Sequence, residues 1–365
     1  MQIFTCSHCE QPVYFANIAC VACGSKLGFE PGTMKMIALD ERGKSKMLEK
    51  SGQGYRFCRN RDEGVCNWLI PEEHDTEYCT ACQFNHIIPD LEKAEFRAKW
   101  ARLEDAKRRL VYAMIKLELP LITKAQDFER GLSFEFKSDL SEPEGQRVLT
   151  GHDSGVITLN IAEANDVQRE IMRMQMDEVY RTLLGHFRHE IAHYYWEILI
   201  APNPDRLSRC RDVFGDERTD YGKALEQHYQ KPNDDQWRAQ HISRYAASHP
   251  WEDWAESWAH YLHMVDTLET AYSFGISIKP KSIDDDTMNA EVSLNPYKTK
   301  DFEWIFDRWI PVTTLMNCMN RSMGLRELYP FEINHNVYKK IAFVHEIIVE
   351  HRTEAFERLA KARVE

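Results

Sequence analysis

Eight of the chain's ten cysteines fall between Cys6 and Cys82, and no other feature restricts its folding choices so strongly. They form two quartets. In the first, Cys6-Ser-His-Cys9 and Cys20-Val-Ala-Cys23 are CxxC knuckles about ten residues apart. A knuckle turns two thiolates to one side of a tight loop, and two knuckles complete a tetrahedral four-sulfur site, the zinc-ribbon arrangement. Gly24 follows the second knuckle, where a left-handed residue lets backbone N–H groups point at sulfur. The second quartet, Cys58, Cys66, Cys79 and Cys82, pairs one regular knuckle (CTAC) with one wide spacing. It is read as a second structural zinc site, with His74 and His86 close enough in sequence to replace a thiol. Zinc is expected over iron, and closed four-cysteine sites hold small domains together rather than perform reactions.

A disulfide reading of these cysteines would need an oxidising compartment. The N-terminal MQIFTCSHCE lacks the basic and then apolar pattern of a secretory leader, so reduced thiols and a cytoplasmic location are expected. The most apolar run near the middle, IAHYYWEILIAP, is too short and too polar to span a bilayer. A net charge of −12 weighs against a general nucleic-acid or anionic-membrane surface.

Beyond the cysteines the text becomes mainly helical. Apolar residues at spacings of three and four predict a helix over 91–119, stopped by Pro120, with its lysines and arginines on a solvated face. LSFEF (Leu132–Phe136) and GVITLNI (Gly155–Ile161) read as strands. The second is either an edge strand able to pair with an extended peptide or an ordinary core strand. Helical periodicity runs from Asn165 to Leu199, a further helix opens at Pro250, and the last hundred residues break around Pro280, Pro311 and Pro330. The expected class is α+β, mainly helical. Its parts are a zinc-ribbon module over 1–90, a helical linker over 91–120 and a main domain over 121–365.

The chemistry-bearing motif lies in the stretch GHFRHEIAHYYWE, where His189, Glu190 and His193 spell HExxH. Residues four apart share a helix face, so His189 and His193 can offer two imidazole nitrogens to one ion. Glu190, about a quarter turn away, can reach a metal-activated water as general base. The continuation Tyr194-Tyr195-Trp196-Glu197 excludes the metzincin pattern HExxHxxGxxH. A third ligand must then come from elsewhere. Pro250-Trp251-Glu252-Asp253-Trp254-Ala255-Glu256 offers two carboxylates on one helix face, one to bind zinc and one to accept the free N–H of a ligand histidine. Its tryptophans imply a packed helix with partly buried glutamates. His260 and His263 are expected in supporting positions, and Asp216, Glu217 and Asp220 as capping or structural groups.

The runs YRTLLGHFRHEIAHYYW and HPWEDWAESWAHYLH, with FGDERTDYGKAL, NRSMGLRELYPF and the cysteine clusters, resemble a family of bacterial zinc-binding metallopeptidases. The resemblance extends over nearly the whole chain. It implies a zincin-like, gluzincin-type metallopeptidase domain behind a zinc-ribbon module, without naming a substrate. A more distant likeness is to the catalytic domain of anthrax lethal factor, whose motif is glutamate, two aromatics, alanine, glutamate. That likeness implies Glu252 as zinc ligand, Glu256 as the group supporting a ligand histidine, and Tyr245, seven residues before Glu252, as a catalytic phenol facing the oxyanion. Asp253 stands where that motif has its first aromatic, and the choice between Glu252 and Glu256 stays open. The expected function is zinc-dependent hydrolysis of a peptide or protein substrate, with one catalytic zinc and one or two structural ones. The ribbon module could take a protein partner. The alternative is a zinc-ribbon protein that binds protein or nucleic acid, in which the HExxH zinc is structural.

Overall fold

The computed structural model describes residues 2–40, 54–141, 147–175, 182–230, 235–281 and 286–362. The chain divides into two units, Met1–Ile115 with Leu121–Arg169, and Lys116–Pro120 with Glu170–Glu365. The division therefore runs at different positions from residues 90 and 120.

In the first unit short antiparallel pairs carry the cysteines. They are β1 (Phe4–Thr5) with β2 (Pro12–Val13), β3 (Lys26–Glu30) with β4 (Lys35–Leu39), and β5 (Tyr55–Phe57) with β6 (Leu69–Pro71). Strands this short bury little on their own, and aromatic rings fill the space between them. Phe29 meets Phe15 and Trp68 at centroid distances of 5.0 and 4.9 Å. Helix α1 (Ala94–Lys116) closes the same core, with Tyr112 edge-on to Phe15 at 5.4 Å.

The charged face of α1 is solvated only in part: Arg97 and Arg102 are exposed, but other charges are not. Lys107 and Glu104 are fully buried and paired at 2.8 Å. Glu104 also accepts from Trp100 Nε1 and Asn85 Nδ2, and Arg108, likewise buried, donates to the Val65 carbonyl. Buried charges persist only when paired and hydrogen-bonded, and periodicity alone cannot reveal such pairing.

The remaining sheet of this unit has the order β7 (Asn85–Ile87), β8 (Ser133–Lys137), β10 (Val156–Asn160), β9 (Gly151–Asp153). GVITLNI is thus not an edge strand: β10 pairs in parallel with β8, Ile157 opposite Phe134, and antiparallel with β9. Gly155, at φ +80°, makes the tight turn between β9 and β10, and a Cβ there would lie 2.3 Å from the Gly131 carbonyl oxygen. Only glycine satisfies both demands.

The second unit is a helical assembly. Following α2 (Asp166–Gln175) it contains α3 (Leu183–Tyr195), α4 (Pro204–Phe214), α5 (Tyr221–Gln230), α6 (Pro250–Ser273), α7 (Phe302–Ser322) and α8 (His335–Ala362). A two-stranded pair, β11 (Ser277–Ile278) with β12 (Ala290–Glu291), precedes α7. The helix expected to run unbroken from 165 to 199 is interrupted. Thr182 is extended, and its side chain caps α3 by accepting the Gly185 N–H at 3.0 Å. A π turn over Trp196–Ile200 ends the segment. Pro311 does not break α7 either; the buried side chains Ile305, Trp309 and Val312 hold the helix through the lost backbone bond.

Helices α3 and α6 form the centre of this unit. Trp254 and Trp258 of α6 are fully buried; Trp254 Nε1 donates to the Ala192 carbonyl at 2.9 Å and Trp258 stacks on Tyr195 at 5.2 Å. These contacts fix the rotation of both helices, and so the direction of every side chain on the facing surfaces. No described helix is long and apolar enough to cross a membrane.

Candidate metal centres

Both cysteine quartets converge. Cys6 Sγ lies 3.8 Å from Cys23 Sγ, Cys9 Sγ 3.6 Å from Cys20 Sγ, and Cys66 Sγ 3.7 Å from Cys79 Sγ. Thiolates at about 2.3 Å from a tetrahedral zinc sit roughly 3.8 Å apart, whereas a disulfide needs about 2.05 Å. The spacing therefore fits zinc. Backbone N–H groups point at the sulfurs, from Trp68 to Cys66 and from Cys79 to Cys58, both at 3.4 Å. Gly24 has the left-handed φ of +74° expected of it. Ser25 Oγ lies 3.3 Å from Cys23 Sγ. His86 belongs to neither quartet; its Nδ1 pairs with Glu135 at 2.8 Å.

A third cluster forms where α3 meets α6. His189, His193 and Glu252 bring one ligand atom each within 4.8 Å of one another. Glu252 Oε2 lies 2.9 Å from His189 Nε2 and 3.7 Å from His193 Nε2. Ligands at about 2.0–2.1 Å around a tetrahedral zinc would be separated by roughly 3.3 Å, so these edges bracket the value required. Two imidazoles and one carboxylate are also the donor set of hydrolytic zinc, and they leave a coordination position free.

The electrostatics agree with that donor set. Burial opposes a charged His189, yet its hydrogen bonds to Glu252 and Glu256 outweigh burial and raise the imidazole well above its usual range. Burial would likewise raise Glu252, but the charge of His193 and the bond to His189 hold it down at about 2. The pocket between these groups favours positive charge. Glu256 takes the other side of the ring, with Oε1 2.9 Å from His189 Nδ1 and Oε2 accepting from Ser243 Oγ at 2.7 Å. His189 Nδ1–H is thereby committed to Glu256, and Nε2 is left facing Glu252. Of the two glutamates, only Glu252 belongs to the converging set.

Glu190 is half-buried next to His189, close enough for its charge to act on His189, Tyr221 and Tyr245. Tyr245 opens a short 3₁₀ turn and lies 5.8 Å, ring to ring, from His189. Its phenol lies near enough to that of Tyr221 for each to act on the other, and the Tyr221 hydroxyl donates to Glu252 Oε1 at 2.8 Å. Burial and the charge of Glu252 raise both phenols above their ordinary values. Tyr221 and Ser243 are the groups that sequence reasoning missed. Neither stands in a recognisable spacing to the histidines, and only the nearness of Ser243 to the tryptophan-rich helix hinted at its place.

His260 and His263 do not belong to the converging set. His260 Nδ1 bonds to the Tyr329 hydroxyl at 2.6 Å, and His263 Nδ1 accepts from Arg188 at 2.5 Å. Asp220 caps α5 through the Lys223 N–H, Asp216 accepts from the Arg218 backbone, and Glu217 pairs with Arg211. All three are structural here.

Comparison with known proteins gives a match for each part of the chain. Residues 96–347 match the family described as "Putative zinc-binding metallo-peptidase", and residues 3–93 match a zinc-ribbon domain. Uncharacterized proteins of Mycobacterium bovis and of two strains of Mycobacterium tuberculosis are each 40% identical over 350 residues, 96% of this chain and 96% of theirs. No solved structure matches the chain. By the extent of the family match and of these likenesses, the chain belongs to the zinc-binding metallopeptidase family, with a zinc-ribbon domain at its N-terminal end.

Proposed function

We propose that the protein is a zinc-dependent peptidase of the gluzincin type, with a zincin-like fold around α3 and α6 and a cytoplasmic location. One zinc would be catalytic, held by His189, His193 and Glu252, and two would be structural, held by the cysteine quartets. The observation that carries this reading is the division of His189. Its Nδ1 bonds to Glu256 while its Nε2 faces Glu252, and an adjacent glutamate, Glu190, lies outside the converging set. A purely structural site has no need of that extra carboxylate.

Bound there, zinc would supply Lewis acidity that polarises the scissile carbonyl and makes water nucleophilic at neutral pH. Glu190 takes a proton from the attacking water and delivers it to the leaving amine nitrogen as the C–N bond breaks. Tyr245 donates a hydrogen bond to the oxyanion that develops on the carbonyl oxygen. Glu256 and Ser243 keep the His189 ring in the tautomer that presents Nε2.

Incubation of the purified protein with a broad peptide library tests this reading. Cleavage that stops when the histidine centre is stripped by dipicolinate, and returns on adding zinc, is the expected result. A protein with metal in all three centres that cleaves no peptide would favour the binding-protein alternative.

A further inference from the structure

The two oxygens of Glu252 have different neighbours. Oε2 faces both imidazoles, at 2.9 Å from His189 Nε2 and 3.7 Å from His193 Nε2, whereas Oε1 accepts from the Tyr221 hydroxyl at 2.8 Å. Glu252 is 1% exposed as a residue, so water does not compete freely for the occupied oxygen. We propose that Tyr221 is a positioning residue that holds Glu252 as a one-oxygen ligand and keeps a coordination position open for water and substrate. The proposal rests on the peptidase reading above and adds a residue to it.

The placement of Tyr221 is built rather than incidental. Helix α5 has no buried residue among those described, so its own packing gives it little reason to stay in place. Its first turn is tied down at the site. His249 Nδ1 accepts the Trp251 N–H at 3.1 Å, which caps α6. That leaves Nε2–H to donate to the Thr219 carbonyl at 3.0 Å, two residues before Tyr221. The Tyr221 ring then rests edge-on against His249 at 5.2 Å and Trp251 at 6.3 Å. One histidine thus joins the start of the ligand-bearing helix to the start of the phenol-bearing one. Without the phenolic donor, Oε1 would be a buried carboxylate oxygen lacking its hydrogen bond, and rotation toward the metal would be its nearest compensation.

The test uses full-length protein whose histidine centre has been stripped with dipicolinate while the cysteine centres keep their zinc. Zinc is then titrated back against a chromogenic chelator in wild type and Tyr221→Phe. The phenylalanine retains the ring contacts on a surface helix, and the unfolding midpoint of the stripped proteins checks its fold. Tyr221→Phe should bind zinc about 10–100-fold more weakly, as loss of a ligand-supporting partner does. Cobalt placed in the same centre should lose visible absorption intensity as the second oxygen enters its coordination sphere. Affinity within about twofold of wild type together with an unchanged cobalt spectrum would overturn the proposal. A crystal structure of the zinc-loaded wild type tests it without any variant. One Glu252 oxygen on zinc and the other on Tyr221 supports it; both oxygens on zinc contradicts it. If wild type takes up no metal at the histidine centre, this inference and the peptidase reading fall together. Normal uptake by wild type, matched by the variant, removes only the role of Tyr221.

Discussion

The cysteine quartets and the histidine centre are built from opposite materials. Each quartet supplies four sulfurs at the spacing of a closed tetrahedron, and in the second, backbone N–H groups aim at them. Nothing is left over for a substrate. At the junction of α3 and α6 three ligand atoms converge among the described residues, and the groups around them — Glu256, Ser243, Tyr221, Tyr245 and Glu190 — are polar side chains rather than backbone. A site that only stabilises needs its ligands and little else. One that performs a reaction needs an open position and neighbours that hold protons. The two kinds of centre should therefore respond to damage in different ways.

The largest expected effect is on the closed side. Cys79→Ser removes one of four fully buried ligands, and the first unit should lose more than about 4 kcal/mol of stability or fail to unfold cooperatively. Thermal unfolding monitored by tryptophan fluorescence would report it. A variant that unfolds like wild type would break the contrast, because the quartet would then hold nothing together.

On the open side, Glu252→Ala should empty the histidine centre while both units stay folded. Glu256→Ala, which loses the hydrogen bonds to His189 and Ser243 but no ligand atom, should weaken zinc there by about 10–100-fold. Metal analysis after dialysis gives the order, and a larger loss in Glu256→Ala would reverse the assignment of the two carboxylates.

A smaller effect sharpens the picture of the shell behind the centre. Burial pushes the His260 imidazole down to about 4 from an ordinary 6.5. A histidine kept neutral in the folded protein but free to charge when unfolded stabilises fully above pH 6.5. That contribution is lost as the pH falls to about 4, up to roughly 3 kcal/mol in all. Denaturant unfolding of His260→Asn should show a shallower loss of stability across this window. A slope equal to that of wild type would mean that His260 titrates like an exposed residue.

How much of this was legible in the sequence depends on how far each relation reaches along the chain. CxxC knuckles and HExxH are local: a turn or one helical repeat places their side chains together whatever the rest of the fold does. Glu252 and Glu256 were legible for the same reason, as a pair on one helix face. The family resemblance, too, lies in these local runs, and it agrees with the matches over 3–93 and 96–347. What stayed hidden depends on tertiary packing. Tyr221 reaches Glu252 across 31 positions, through the link that His249 makes to Thr219. Lys107 reads as a solvated charge until its helix is seen packed with Glu104 and Asn85 beside it. GVITLNI reads equally well as an edge or an interior strand, because alternation does not say how many neighbours a strand has. The interruption before α3 was missed because Thr182 caps a helix inside a longer apolar periodicity.

Whether the open centre is a peptidase site with Glu190 as its base is decided by Glu190→Gln. Glutamine keeps the size and polarity of the side chain but cannot take a proton. Full zinc occupancy, an unchanged unfolding midpoint and a fall of at least about 100-fold in peptide cleavage relative to wild type are expected if Glu190 is the base. Equal cleavage by the two proteins would contradict it.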